Sequence, residues 1–176
     1  MPAPGRGGML AAPPRQSTPA MAEPGPMINA TRLELHALLA RHADAVMRRH
    51  PEDWIETWAP DASWIVDGEE SKGREAILER WSAELAAWPL VIHTVYAPNL
   101  VITDGVARGR CTVQEIRQAQ DGSARQIFGV YHDEFARGDA WLFHRRRFDV
   151  LLSRPLDLGE AQVHGWPADV DPDFLR

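Results

Sequence analysis

Few polar side chains in this chain stand among apolar neighbours, and those few are where its chemistry would lie. His93 sits in Val91-Ile92-His93-Thr94-Val95, an apolar strand-like run. An imidazole with an ordinary pKa can take up a proton at neutral pH, so His93 reads either as a general base or as a hydrogen-bonded core histidine. His42 falls on the apolar stripe of a helix. It reads as a second pocket imidazole facing His93, one accepting and one donating, or as a helix-face histidine touching a sheet. Glu115 alternates with Cys111 and Val113, so its carboxylate either faces inward with them or stands exposed beside Arg117. Two histidines invite a metal, but no third ligand of matching spacing accompanies them, and no metal is expected.

The third group of candidates is Arg145, Arg146 and Arg147, consecutive in Gly129 to Phe148, GVYHDEFARGDAWLFHRRRF. This stretch reads as two strands around the turn Arg137-Gly138-Asp139-Ala140. Side chains alternate across a strand, so either Arg146 points inward or its two neighbours do. If Phe135 lies opposite Trp141, then Val130 lies opposite Arg146 and shares a face with Phe148. Those residues would form one strip of pocket wall, two apolar groups and a cation suited to an oxyanion. Asp133, Arg145 and Arg147 would then lie on the other face. A register slip of one residue inverts the whole assignment.

The elements that position these groups run helices first and strands last. Thr31-Arg32-Leu33-Glu34 has the form of a capping box, and Leu35, Leu39, His42 and Val46 continue a helical stripe to about Arg49. Pro51 suits the first turn of a short second helix with Trp54, Ile55 and Trp58 on its apolar side. Ala62 to Val66 reads as a short strand ended by Asp67-Gly68. Ile77, Trp81, Leu85 and Trp88 mark a third helix from about Arg74. Strand-like runs follow over 90–102, 105–118, 124–136 and 141–152, with Asp104-Gly105 and Asp121-Gly122 as turns. Helices before a mostly antiparallel sheet predict an α+β fold, and a bent sheet wrapped over a long helix would leave an apolar cavity between them.

The chain's 176 residues suffice for one domain with a core, and its net charge of -6 argues against nucleic acid or an anionic membrane as partner. No apolar run approaches the length of a membrane span. Cys111 is the single cysteine, which excludes an intramolecular disulfide and a multi-cysteine zinc site. Residues 1–27 hold seven of the 14 prolines and four glycines without periodicity, and read as a disordered tail. That tail lacks the apolar core of a signal peptide and carries only Arg6 and Arg15, so a cytoplasmic location is expected. Met9, Met21 and Met27 precede the periodic part, so a later start site is also open. The expected domain spans 28–153. An irregular tail spans 154–176, with Trp166 and Phe174 as its anchors.

These pieces resemble the NTF2-like superfamily, specifically its SnoaL-like branch, with scytalone dehydratase, bile acid dehydratase and ketosteroid isomerase as relatives. The matching segments are ARHADAVMRRHPEDW, WAPDASWIVDG, GREAILERW, IHTVYAPNLVITDGVARGRC and GVYHDEFARGDAWLFHRRRF. Together they cover about Thr31 to Ser153, and the last is the most specific. The resemblance implies a cone-shaped fold whose curved sheet wraps the N-terminal helices around an internal pocket. It also implies association into a homodimer or homotrimer.

In the lyases of this family, a histidine on the strand after the third helix pairs with an aspartate on the first helix. An arginine on the last strand helps to position substrate. The resemblance carries these roles to His93 as base and Arg146 as oxyanion holder, with His42 on the helix as donor or orienter. The aspartate position is Met47, and a thioether can neither orient an imidazole nor stabilise imidazolium. Asp44 lies nearly one helical turn away and does not replace it, which leaves Glu115 as the remaining carboxylate.

Two readings of function follow. The first is a lyase or isomerase without a cofactor, removing a proton from a small apolar or cyclic molecule in a cavity lined by Met47, Trp64, Glu115, Val130 and Phe148. The second is a binding or assembly domain without turnover, including a β-type subunit of a ring-hydroxylating oxygenase, and Met47 favours it. The fold alone does not choose, because it serves many chemistries.

Overall fold

The computed structural model describes residues 25–103 and 106–167. Three helices come first, α1 (Pro26–Arg48), α2 (Pro51–Glu56) and α3 (Arg74–Ala87), interleaved with β1 (Trp58–Val66) and β2 (Glu69–Lys72). The rest of the sheet is β3 (Leu90–Val95), β4 (Asn99–Thr103), β5 (Val106–Gln118), β6 (Ala124–Arg137) and β7 (Trp141–Leu156). The order is β2-β1-β7-β6-β5-β3, with β4 also paired to β5. Every pairing is antiparallel except β1 with β7. The fold is therefore α+β, with helices gathered on one face of a mixed, mostly antiparallel sheet.

Local chemistry explains the boundaries. Pro26 occupies the first turn of α1, where its missing N–H costs nothing, so the helix begins before Thr31 and the capping-box sequence lies inside it. Glu34 instead reaches Arg137 on β6 as an ion pair. Arg49 closes α1 in the left-handed conformation at φ 58°. Leu35, Leu38, Leu39, His42, Ala45 and Val46 form its buried face.

Trp58, expected on α2, opens β1 instead, because Thr57 already caps the helix. Asp67 and Gly68 both have positive φ and connect Val66 to its partner Glu69, the geometry of a tight two-residue hairpin. The polar strand β2 that follows carries no apolar alternation, so the sequence concealed it. The run 90–102 is two strands, β3 and β4, and both pair with β5. The Asp104-Gly105 turn, the tail anchor Phe174 and all of the N-terminal tail before Gly25 lie outside the described residues. Trp166 lines an apolar groove with Met47 and Ile92.

Register shifts in β6–β7 at Phe128/Gly129 and Glu134/Phe135, and in β1–β7 between Trp58 and Ser63, bend the sheet around α1. The turn, which sets Arg137 opposite Trp141, and these bulges together change the pairing expected of the last hairpin. Phe135 faces Phe143 rather than Trp141, Asp133 faces Arg146, and Val130 faces Asp149. Arg146 does point inward, but Asp133 comes with it, and Val130 lies on the other face. The core between helices and sheet is aromatic. Trp54 stacks on Trp81 at 4.6 Å between ring centroids, with Trp58, Trp64 and Phe143 around them.

Candidate active site

Between the helices and the concave face of the sheet lies a cavity of about 400 Å³. Its size suits a small molecule. Its apolar wall includes Trp54, Trp64, Trp81, Ile127, Tyr131 and Phe148, and its polar wall includes His42, His93, Glu115, Arg117 and Arg125. Strand pairing explains why the central groups meet. His93 on β3 lies directly opposite Glu115 on β5, and Glu115 lies directly opposite Ile127 on β6. Both polar residues face the helices, and each is about 5% exposed or less.

His93 Nδ1 stands 2.7 Å from Glu115 Oε1. The other carboxylate oxygen, Oε2, accepts Arg117 Nε at 2.7 Å and pairs with its Nη2 at 2.6 Å. Arg117 Nη1 continues to Glu84 on α3 at 3.2 Å. Burial alone would push the Glu115 carboxyl up. The hydrogen bond and charge of His93, together with Arg117, overcome that and hold it at about 2. An ionised carboxylate only accepts, so Nδ1 of His93 carries the proton and a neutral ring presents a lone pair at Nε2. That Nε2 is buried and has no hydrogen-bond partner among the described residues. Native structures seldom leave such an atom unpaired without a use for it.

Met47 fills the helix position that the resemblance assigns to aspartate. Its sulfur accepts the backbone N–H of His93 at 3.0 Å, and its side chain lines the neighbouring groove rather than the cavity. A residue from α1 thus holds the β3 backbone while Glu115 from β5 orients the ring. Of the two sequence alternatives for Glu115, the structure shows the inward-facing one: the carboxylate is buried rather than exposed, and its pairing with Arg117 belongs to that buried arrangement.

His42 lines the cavity, but both of its nitrogens are spoken for. Trp54 Nε1 donates to Nε2 at 3.2 Å, which leaves Nδ1–H to donate to Thr57 Oγ1 at 3.0 Å. The Thr57 hydroxyl in turn donates to the Trp54 carbonyl at 2.6 Å. Burial first, then the charges of Arg146 and His93, push the His42 pKa well below the ordinary histidine range. It is a neutral, fixed part of the wall, without a free N–H for a ligand.

Arg146 is fully buried but does not line the cavity. Its guanidinium lies 3.6 Å from the Tyr131 ring centroid and 4.3 Å from that of Phe143, with Nε 3.1 Å from Asp133 Oδ1. The contact is close in charge but lacks hydrogen-bond geometry. The expected direct contact with an oxyanion is therefore replaced by support from behind: Arg146 backs Tyr131, and Tyr131 forms the wall. Val130 is likewise absent from the lining, because it alternates with the inward-facing Gly129 and Tyr131 on β6 and so takes the other face. Trp64 and Phe148 do line the cavity, as expected of them.

Sequence reasoning did not select Tyr131, Arg117 or Arg125. Tyr131 alternates with Asp133 and Phe135 in the sequence, which was the available signal. Burial pushes its hydroxyl pKa up, so it stays a neutral phenol whose ring centroid lies 6.2 Å from that of His93. Among the described residues no group of three His, Cys, Asp or Glu side chains is disposed to hold a metal ion.

Residues 29–147 match the family model described as a SnoaL-like domain. The chain belongs to this family. Among solved structures, the SnoaL-like chain is similar to a type 2 hexachlorocyclohexane dehydrochlorinase, at 22% identity and a TM-score of 0.69, over 81% of this chain and 97% of the other. A candidate aromatic ring hydroxylase from Novosphingobium aromaticivorans aligns at 21% identity and a TM-score of 0.68, over 73% and 94% of the two chains. A candidate scytalone dehydratase from the same organism aligns at 16% identity and 0.66, over 79% and 99%. These likenesses show the NTF2-like fold. No curated protein sequence matches the chain. None of the described helices of this SnoaL-like protein is long and apolar enough to cross a membrane.

Proposed function

We propose that this protein is a lyase or isomerase that removes a proton from a small, largely apolar molecule, with His93 as the base. The observation that carries the reading is the state of the imidazole. Nδ1 is held by an ionised Glu115, Nε2 is buried and without a hydrogen-bond partner among the described residues, and His93 belongs to the cavity lining. In the step, Nε2 takes a proton from carbon, and the C–H electron pair forms a new double bond. That pair either expels a leaving group on the neighbouring carbon or is reprotonated elsewhere. Glu115 stabilises the imidazolium that results, and Arg117 keeps Glu115 ionised. The Tyr131 phenol is a neutral donor in the cavity wall that can meet charge developing on the ligand. The neighbouring dehydrochlorinase and candidate dehydratase are proteins named for eliminations, which accords with this reading.

The test is exchange in deuterated water, using a panel of small cyclic carbon acids with and without a neighbouring leaving group. The wild-type protein incorporates deuterium or releases the leaving group from at least one member, and His93→Ala does neither while keeping its fold. Full turnover in folded His93→Ala would sink the proposal.

Met47 supports a second reading, a pocket that binds without turnover, as a small-molecule or assembly domain. Its signature is saturable binding of panel members with no exchange on any of them. Retention on a larger iron-containing chain would identify the oxygenase-subunit form of it. Under either reading, exposed apolar strand residues such as Val101, Val106 and Leu151 support association into a homodimer or homotrimer.

A further inference from the structure

We propose that the rim of the cavity holds an anionic group of the ligand, with Arg125 as the residue that binds it. The substrate class is then a small apolar acid rather than a neutral hydrocarbon-like molecule. This rests on the pocket reading above and adds the chemistry of the ligand's far end.

The sheet register places the residues. One row across the concave face holds His93, Glu115, Ile127 and Ser153, each directly opposite the next. The next row outward holds Val91, Arg117, Arg125 and Pro155 in the same way. Two residues along a strand and two strands across put the Arg125 backbone about 12 Å from that of His93. A ring system reaching from the imidazole toward the rim ends beside these arginines.

Arg117 and Arg125 are direct cross-strand neighbours, and both residues line the cavity. Like charges in that relation destabilise a sheet unless something offsets them. Arg117 has its offset, because it pairs with Glu115 and with Glu84. Arg125 does not. Among the described residues its side chain has one hydrogen bond, Nε to the neutral Ser153 Oγ at 3.3 Å, and no ion pair. Of the α3 glutamates Glu84 is the one in the cavity lining, and Arg117 already takes it. The remaining acid of the lining, Asp67, sits on the β1–β2 turn, beyond the opposite side of β7. An arriving carboxylate or phenolate therefore finds an open guanidinium edge beside Ser153, with its apolar body against Ile127 and Val150.

The experiment compares aryl acids with their neutral alcohols, as phenyl, naphthyl and biphenyl pairs, by tryptophan fluorescence titration at low salt. The wild-type protein binds the best-fitting acid about tenfold more tightly than its alcohol, and the preference shrinks in high salt. Arg125→Met brings that ratio toward one, and Arg125→Lys keeps part of it. Equal affinity of the wild-type protein for acid and alcohol overturns the anionic anchor while leaving the pocket reading intact. So does a preference that survives in Arg125→Met. Failure of every acid and alcohol to bind overturns the pocket reading and the anchor together.

Discussion

His93 and Glu115 face each other directly across β3 and β5, and Nδ1 of the one meets Oε1 of the other at 2.7 Å. The proposed base and its orienter, on neighbouring strands, share one rigid sheet, whereas an aspartate on α1 would have to be aligned through helix packing. Glu115→Gln keeps the shape but can present an N–H to Nδ1, which favours the tautomer with the proton on the wrong nitrogen. We expect kcat to fall about 100-fold with a much smaller change in KM. Nitrogen NMR of the His93 ring supplies a readout independent of substrate: the proton sits on Nδ1 in the wild-type protein and redistributes in Glu115→Gln. An unchanged tautomer in the variant would remove the orienting role from Glu115.

Two buried carboxyls give opposite signs to the acid stability profile. Glu115 is held down at about 2, so the folded state binds this proton less readily than the unfolded chain does. Its stabilisation is complete above the ordinary glutamate pKa of about 4.3 and is lost as pH falls from there toward 2. Asp133 is pushed up to about 6, because burial outweighs the attraction of Arg146. Here the folded state binds the proton more readily, so stability falls as pH rises from about 4 to 6, by on the order of 2 kcal/mol. The Tm of Asp133→Asn relative to wild type should therefore rise across that window, because the amide has no proton to lose. A Tm difference that stays flat from pH 4 to 6 contradicts an elevated Asp133.

Much of this was legible from residue patterns. The stripe Leu35, Leu39, His42, Val46 gave the buried face of α1, and Asp67-Gly68 and Asp121-Gly122 gave real turns. His93, His42, Glu115, Trp64 and Phe148 do meet in one cavity. What escaped is what bulges decide. A bulge adds one residue to one strand and leaves no composition signal, yet the extra residue His144 in β7 moved Asp133 opposite Arg146 and put Phe143 and Arg146 on the same buried face. The strand β2 escaped for another reason: Glu69, Glu70, Ser71 and Lys72 look like loop, and only pairing with β1 makes them a strand. The partner of His93 was visible as a candidate but not decidable. Glu115 beside Arg117 describes an exposed ion pair and a buried one equally well until the register is known.

Both ring nitrogens of His42 are held in a three-residue circuit with Trp54 and Thr57, which argues for a structural role beside the proposed base. His42→Ala removes a buried ring and strands the Trp54 indole N–H. The expected cost is about 2–4 kcal/mol, measured by urea unfolding. The fraction that stays folded should keep turnover within about tenfold of wild type, far from the loss expected at His93. The His42 pKa is depressed in the fold, so its stabilising contribution is present above about pH 6.5 and declines below it. Turnover abolished at unchanged stability would make His42 a catalytic group instead.

Gly129 sets the depth of the cavity through Phe148. It lies opposite the β7 bulge at Leu151, and a Cβ built there would stand 2.1 Å from Phe148 Cε2 and 3.0 Å from the Asp149 carbonyl. The aromatic ring thus lies across the glycine, a position open only because no side chain occupies it. Gly129→Ala must displace the ring, and one side of the ring is the ligand wall. We expect a loss of about 1–3 kcal/mol from overpacking. The affinity for a biphenyl ligand should fall more than that for a phenyl one, because the ring moves into the space the larger ligand needs. The double variant Gly129→Ala with Phe148→Leu should recover part of the biphenyl affinity by removing the collision. Equal losses for large and small ligands, or no recovery in the double variant, would show that Phe148 does not set the depth of the cavity.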